Sequence, residues 1–540
     1  MIMQKTHFHF ILFFLLFLTP NNILKSQVVY QDVSNKAVYE FLDEMANMKI
    51  ITINSVVKPY SRRFIAEKLA EIQNADTLLN KRQKFELAFY LKDYNKELLP
   101  GKYVPKRFDV FYYKDSLFTF SLNGILGGQI WHNKNGINYH RWYGADAFAY
   151  AGKHLGVYAS LRDVSEKIPL ADTGYITTRN GGNYRQGDYS EMRGGMTWGW
   201  KWGDVALVKE YIEWGNSYRY PNIISSKAPS FAQLRLHLAP AGWFEFNYVH
   251  GWLVSEVIDS SRSYNYGGVQ RNVFHNKYIA ANMFTFKPWK RLNLSFGNSV
   301  IYSDQYLNPA YFIPVFFYKS VDHTYNGNTN ATGQNSQMFF DISNRLLKGI
   351  HMYYSMFIDV MSFGELFDKD RNANHWSMLG GMRFSNFLPN TDFTLEYIRN
   401  NPLVYKNDNV TTLYNSNWYN LGHYLGDNAQ EIYVELEFRP WKMLGVTLWH
   451  SLVQKGPDYA YDRTPDPVTG IPQVLGKKFM ERVEWERGVF GLKAEYQLIN
   501  DLFIFLEAEK QKVNGNTQRY DSEYYRDDLL TFSFGMNFGF

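Results

Sequence analysis

From about Phe108 to its end the chain keeps a rhythm of two. "EIYVELEF" alternates Ile432, Val434, Leu436 and Phe438 with Glu431, Tyr433, Glu435 and Glu437. "FGLKAEYQL" sets Phe490, Leu492, Ala494, Tyr496 and Leu498 against Gly491, Lys493, Glu495 and Gln497. "QLRLHL" sets three leucines against Arg235 and His237, and "DFTLEY" sets Phe393, Leu395 and Tyr397 against Thr394 and Glu396. Successive residues of a strand point to opposite faces, so each stretch reads as a strand with one apolar side and one wet side. The last one, "LTFSFGMNFGF", has Phe532, Phe534, Met536, Phe538 and Phe540 on one face. Thr531, Ser533 and Asn537 share the other with glycines.

Such a face suits a protein core or a lipid bilayer, and the connections separate the two. Some are tight, as in "APAGW" (239–243), "LPNTD" (388–392) and "INDL" (499–502). Others are long and polar, as in "YKNDNVTTLYNSNWYNLGHYLGDNAQ" (405–430) and "QKGPDYAYDRTPDPVTGIPQVLGKK" (454–478). Short turns at one rim and long loops at the other mark outer-membrane barrels. "FKPWKRLNLSF" (286–296) and "FRPWKMLGVTL" (438–448) share F-[KR]-P-W-K-x-L. Both read as short-rim turns, with Pro288 or Pro440 in the turn and Trp289 or Trp441 at the interface. Chance recurrence of a good turn is the alternative.

Aromatic residues make up 18% of the chain, a load that the girdles of a membrane barrel explain. A soluble β-sandwich alternates in the same way and is the competing reading. The N-terminus bears on it: Lys5, an apolar run from Phe8 to Leu18 and a Pro-Asn break have the layout of a secretory signal, with a cut expected before Gln27. An uncleaved anchor is the alternative. No later apolar run reaches the ~18 residues of a spanning helix. Together these features predict an all-β antiparallel transmembrane barrel of about 16–18 strands over 108–540. Its closing strand is expected to pair with Ser116–Gly128, because an open edge would strand backbone polar groups in hydrocarbon.

Residues 27–107 have a helical period instead. Ser34 is placed to cap a helix carrying Val38, Phe41, Leu42 and Met45 on one face. Ser61 caps a second with Ile65, Leu69 and Ile72. A third groups Phe85, Ala88 and Phe89, and Pro100-Gly101 marks the exit from a small bundle, expected in the periplasm.

Chemical motifs are scarce. There is no cysteine, which removes disulfides and thiol chemistry. A net charge of +5 over 540 residues forms no concentrated basic patch of the kind nucleic acid requires. No H-E-x-x-H, G-x-S-x-G or P-loop signature is present. "DKDRNANH" spaces Asp368, Asp370, Asn372 and Asn374 like the start of a calcium loop, without its glycine and distal glutamate. It reads as a solvated loop, and neither a metal nor a cofactor is expected. Inward charges of both signs, such as Arg235, Glu431 and Lys493, suit a hydrated lumen.

The loop "YNSNWYNLGHYLGDN" interleaves Tyr414, Trp418, Tyr419, His423 and Tyr424 with amides and Asp427. Sugar C–H faces pack on rings while hydroxyls seek amides and carboxylates, so these five are the candidate carbohydrate-binding residues. Girdle or loop packing is the other use such rings have.

"VKPYSRRFIAEKLAEI", "EYIEWGNSYRYPNIISSKAPSFAQLRL", "LNPAYFIPVFFY" and "NLGHYLGDNAQEI", in this order, resemble segments of the capsule assembly protein Wzi family. The resemblance covers nearly all of the chain after the signal. It implies a barrel of about eighteen strands in the outer membrane of a Gram-negative bacterium, non-catalytic and lectin-like, that binds and organises capsular or other surface polysaccharide. Its motif falls on Trp214, Gly215, Lys227, Ala228 and Pro229, residues whose role is as readily structural. The terminal Phe540 resembles the signal read by the outer-membrane insertion machinery. The expected partners are therefore polysaccharide, outer-membrane lipid and that machinery. The rival reading is a porin for sugars or other small solutes.

Overall fold

The computed structural model describes residues 27–99, 105–182, 187–304, 307–326, 334–365, 367–368 and 370–539. The expected signal segment, the Pro100-Gly101 exit and Phe540 lie outside the described residues.

Eighteen antiparallel strands close into a barrel. The last, Leu529–Phe538, pairs with the first, Phe118–Asn133, through contacts running from Phe532 opposite His132 to Phe538 opposite Leu126. The start of that first strand is taken by a short strand, Phe111–Lys114, which continues the edge where the last one stops. Closure satisfies backbone groups that hydrocarbon could not. Leu530, Phe532 and Phe534 are half exposed on the outside, while Thr531 and Ser533 are buried inside. The same holds for Ile432 and Phe438 against Glu431, and for Leu395 against Thr394 and Glu396. The outer belt is apolar and the chain is an outer-membrane-type barrel.

The tight turns at 242–243, 389–390, 442–443 and 500–501 share one rim, and loops such as 211–230 and 401–428 leave the other. Trp289 and Trp441 stand exposed at the short-turn rim. Pro288 and Pro440, expected in the turns, lie instead in the last residues of strands Lys277–Trp289 and Ala429–Trp441. Each pair of strands breaks register there, and a residue without an N–H costs nothing where the ladder is already interrupted.

Among the described residues three α-helices precede the barrel: α1 (Lys36–Asn47), α2 (Arg62–Asn74) and α3 (Lys81–Leu98). Ser61 caps α2, its oxygen accepting from the Phe64 N–H. Ser34 does not cap α1: both its N–H and its hydroxyl donate to Asp32, and Asn35 occupies the cap position. The core-facing stripe of α3 is also not the expected one. Leu87, Tyr90, Leu91 and Tyr94 are buried, whereas Ala88 is exposed. Two stripes with helical spacing coexist on α3, and the second faces the barrel: Lys442 lies 4.4 Å over the Phe85 ring and Asn500 donates to the Phe89 carbonyl.

The bundle therefore sits on the short-turn rim. Glu44 is its anchor, accepting at 2.6 Å from each of Arg82, Gln83 and Arg439. Burial pushes this carboxyl up, but Arg439 and Arg82 outweigh it and hold it below the usual range.

One segment folds over the outside. Asn282, Asn298 and His250 lie on the outer face of the wall, fully or almost fully buried. Residues 309–318 cover them. Asn282 donates to the Pro314 and Phe316 carbonyls, Tyr248 to that of Tyr311, and His250 stacks on Phe312 at 4.0 Å. This is the "LNPAYFIPVFFY" stretch. Strand polarity alone would have turned these amides into lipid; a segment that returns over them satisfies both sides.

Candidate functional site

The lumen is filled by chain from both ends. The N-terminal segment enters from the short-turn side and the 211–230 loop from the other, and they pair as a two-stranded sheet, Val57 opposite Trp214 and Lys58 opposite Glu213. Gly215 follows at φ +105, a conformation that favours glycine, and its N–H donates to the Val56 carbonyl. Trp214 is buried edge-on against Phe339 of the wall. Around this junction Val56, Ile223, Ile224, Val249, Ile279 and Phe357 form an apolar core inside the barrel.

Wall carboxylates hold the loop in place. The Tyr218 N–H donates to Glu396 at 2.5 Å, the Asn216 N–H to Asp341 at 2.8 Å, and the Arg219 guanidinium lies 3.3 Å from Glu431. A barrel wall supplies such acceptors because alternate strand residues all face inward.

The two stretches singled out in the sequence meet here. Ser225 donates through its hydroxyl to the Gly422 carbonyl at 2.5 Å, and the buried Lys227 amine donates to the carbonyls of Thr177 and Arg179, 5.7 Å from the Tyr419 ring. Burial, with Arg179 nearby, pushes this amine down to about 7. Ala228 is buried and Pro229 half buried beside it. Tyr414 donates to the Ile223 carbonyl, Tyr419 to that of Gly182, and Tyr424 to the Glu431 carboxylate. His423 is buried against Tyr424 and Tyr220, and burial pushes its imidazole down to about 3. Four of the five candidate rings thus lie within the plug, with their faces covered. Trp418 alone among them is presented, 42% exposed at φ +63.

Above the plug, on the long-loop side, lies a cavity of ≈ 350 Å³. Trp131, Trp449 and Tyr525 give it aromatic surface, and Arg179, Arg487 and Glu509 give it charge. Arg487 is held by Asp521 at 3.2 Å and by the Ile176 carbonyl at 2.8 Å, and Arg179 lies 5.0 Å over the Trp131 ring. Rings beside fixed donors and acceptors are the chemistry that a polyhydroxylated ligand requires. Sequence reasoning passed over these residues. Their signal was parity: in "FLEAEKQ" Glu507 and Glu509 share the inward face, but nothing along the chain brings them to Arg487 or Trp131. Among the described residues no group of three or more His, Asp or Glu suits a metal ion. Asp368 accepts from the Asp370 and Arg371 N–H groups of its own turn.

No family model and no curated protein matches the chain. Among solved structures the chain is similar to Wzi of Escherichia coli, an outer-membrane protein involved in group 1 capsule assembly and a carbohydrate-binding β-barrel. The identity is 12%, the TM-score 0.58, and the match covers 95% of this chain and 100% of that one. OccD3 (OpdP) of Pseudomonas aeruginosa matches at 10% identity and TM-score 0.42, covering 78% of this chain and 90% of that one. OpdK of the same organism, solved with vanillate, matches at 7% and 0.43, covering 78% and 98%. At these identities the likeness to Wzi is one of fold.

Proposed function

We propose that this chain is a non-catalytic protein of the outer membrane of a Gram-negative bacterium that binds and organises capsular or other surface polysaccharide. The bundle faces the periplasm and the long loops face outward. The observation that carries the reading is the plug: an apolar core, tied to the wall by Glu396, Asp341 and Glu431, occupies the lumen of a barrel whose fold is shared with a carbohydrate-binding one. A diffusion channel for small solutes has no use for such a core, so the plug argues against the porin reading.

Glycan contact falls on the long-loop side, at Trp418 and at the cavity with Trp131, Trp449 and Arg487. Tyr414, Tyr419, His423 and Tyr424, with Trp214, Gly215, Lys227, Ala228 and Pro229, serve by holding the plug that shapes that surface.

The experiment is retention of polysaccharide on purified protein in detergent and on cells. Wild type should retain it, Trp418→Ala and Arg487→Gln should weaken retention, and a deletion strain should shed it. Unchanged attachment in the deletion strain, or large steady conductance of the wild type in planar bilayers, sinks the proposal.

A further inference from the structure

A second cavity, of ≈ 840 Å³, lies at the opposite end of the lumen, between the wall and the N-terminal domain. Inward-facing Asp204, Arg235, Glu245 and Asn247 form one side; Asn54 and Phe64 belong to the other. Exposed Trp289 and Lys290 stand at its short-turn edge.

Its wall carboxylates are already engaged. Asp204 accepts from the Tyr30 hydroxyl at 2.8 Å and lies 3.2 Å from His237 Nδ1. Glu245 lies 2.9 Å from Lys287 and 3.3 Å from His237 Nε2. What is left over is of one kind. Arg235 is 7% exposed, lies 4.2 Å over the Tyr30 ring, and pairs with no carboxylate among the described residues; its Nη1 has no hydrogen-bond partner. The Nδ2 atoms of Asn54 and Asn247 and Nε of Arg291 are buried and unpaired in the same way. For Asn54 the orientation is fixed, because its Oδ1 accepts from the Val56 N–H. All four unpaired atoms are donors.

A buried donor without an acceptor is costly, and buried polar groups are otherwise paired almost without exception. Among the residues that line this cavity the Arg235 guanidinium is the buried charge left without a carboxylate partner among the described residues, and a group that only accepts would satisfy it. Carboxylate and phosphate are such groups, and their bonds to guanidinium are the strong, charge-assisted kind. The volume falls in the range of small-ligand pockets, and Ile51, Val57 and Phe64 offer apolar surface to a carbon skeleton.

We propose that this cavity is a binding site for a small ligand bearing a carboxylate or phosphate, entered from the short-turn rim, with Arg235 as its anion-contacting residue. It stands apart from the glycan surface at the other end of the barrel and does not depend on it.

The test is titration calorimetry on the full chain in detergent micelles with glucuronate, glucose 6-phosphate, inorganic phosphate and neutral glucose. Saturable binding of at least one anion, absent for glucose and weakened by salt, is expected. Glucuronate or glucose 6-phosphate binding more tightly than inorganic phosphate shows a ligand with a sugar skeleton; equal binding shows a bare anion site. Arg235→Gln should weaken the anion about tenfold or more. Asn54→Ala, on the opposite wall, should also weaken it, whereas Lys134→Gln at the far rim should not. Heat-modifiable migration on gels confirms that each variant has folded, and Asn54→Ala decides the matter if Arg235→Gln has not. Absence of saturable binding by all three anions, equal binding of glucose, or anion affinity unchanged in the folded variants overturns the proposal.

Discussion

The Tyr218 N–H donates to the Glu396 carboxylate at 2.5 Å, joining the tip of the plug to the inner wall across 178 residues of chain. The same carboxylate accepts from the Ser217 hydroxyl and the Arg219 N–H, and Tyr353 donates to it as well. One wall residue thus fixes three consecutive residues of the loop. Glu396→Ala leaves those donors buried and unpaired, a loss of roughly 2–4 kcal/mol in docking of the plug. Planar-bilayer recordings should show fluctuating conductance in this variant and a closed wild type. A variant as silent as the wild type counts against Glu396 as the pin.

Acid should loosen the plug. In the folded chain Lys227 is pushed down to about 7 from 10.5 and His423 to about 3 from 6.5, in both cases chiefly by burial. The unfolded chain therefore holds more protons at both positions, and stability rises with pH. The Lys227 contribution is full above 10.5 and fades as pH falls towards 7. That of His423 is full above 6.5 and fades towards 3. Between about pH 9 and about pH 5 the two together are worth on the order of 5 kcal/mol. Hydrogen exchange of residues 211–230 and 414–424 should be slower at about pH 9 than at about pH 5, after correction for intrinsic exchange. Equal protection at the two values contradicts this.

Glu44 is the joint between bundle and barrel. Glu44→Ala leaves the Arg82 and Arg439 guanidinium groups buried without this partner, a cost of roughly 3–5 kcal/mol. Limited proteolysis should release fragments of 27–99 from the variant while the barrel stays heat-modifiable. A bundle as resistant as wild type argues that the turn contacts at Phe85 and Phe89 suffice.

The outer belt gives a contrast within one strand. Phe534→Arg puts a charge on the lipid face, at a cost of roughly 2–4 kcal/mol near the bilayer midplane. Leu529→Arg, near the long-loop end and on the inner face, should behave differently, failing through overpacking rather than through lipid. Refolding into bilayers of increasing thickness separates the two, since only the lipid-face variant should worsen with thickness.

Gly422 tests the plug's own packing. A Cβ there would fall 2.3 Å from the Tyr405 ring, whose hydroxyl donates to the Asn222 carbonyl. Gly422→Val should cost about 1–3 kcal/mol by overpacking and expose 414–424 to exchange, with barrel closure unaffected. Wild-type protection of that segment would show that the ring has room to move.

Alternation was enough to give the barrel, its inside and outside faces, the short-turn rim and the strand that closes it. Period and parity are local properties, and a one-residue slip would turn every Phe of Leu529–Phe538 inward. The cap at Ser61 was legible for the same reason, since an N-cap is settled within one turn. Ser34 was not, because Asp32 competes for it, and neither was the stripe of α3, where two faces of equal spacing differ only in what they meet. The site was the least legible part. Tyr414, Tyr419 and Tyr424 have the composition of a sugar-binding loop, and composition does not distinguish a ring that faces solvent from one that donates its hydroxyl to a carbonyl of another loop or to a wall carboxylate. Whether the lumen is open, where Lys227 finds its acceptors, and why Arg235 and Asn54 are left unpaired around one cavity depend on segments far apart in the chain entering the barrel from opposite ends. Only closure of the cylinder brings them within hydrogen-bonding distance.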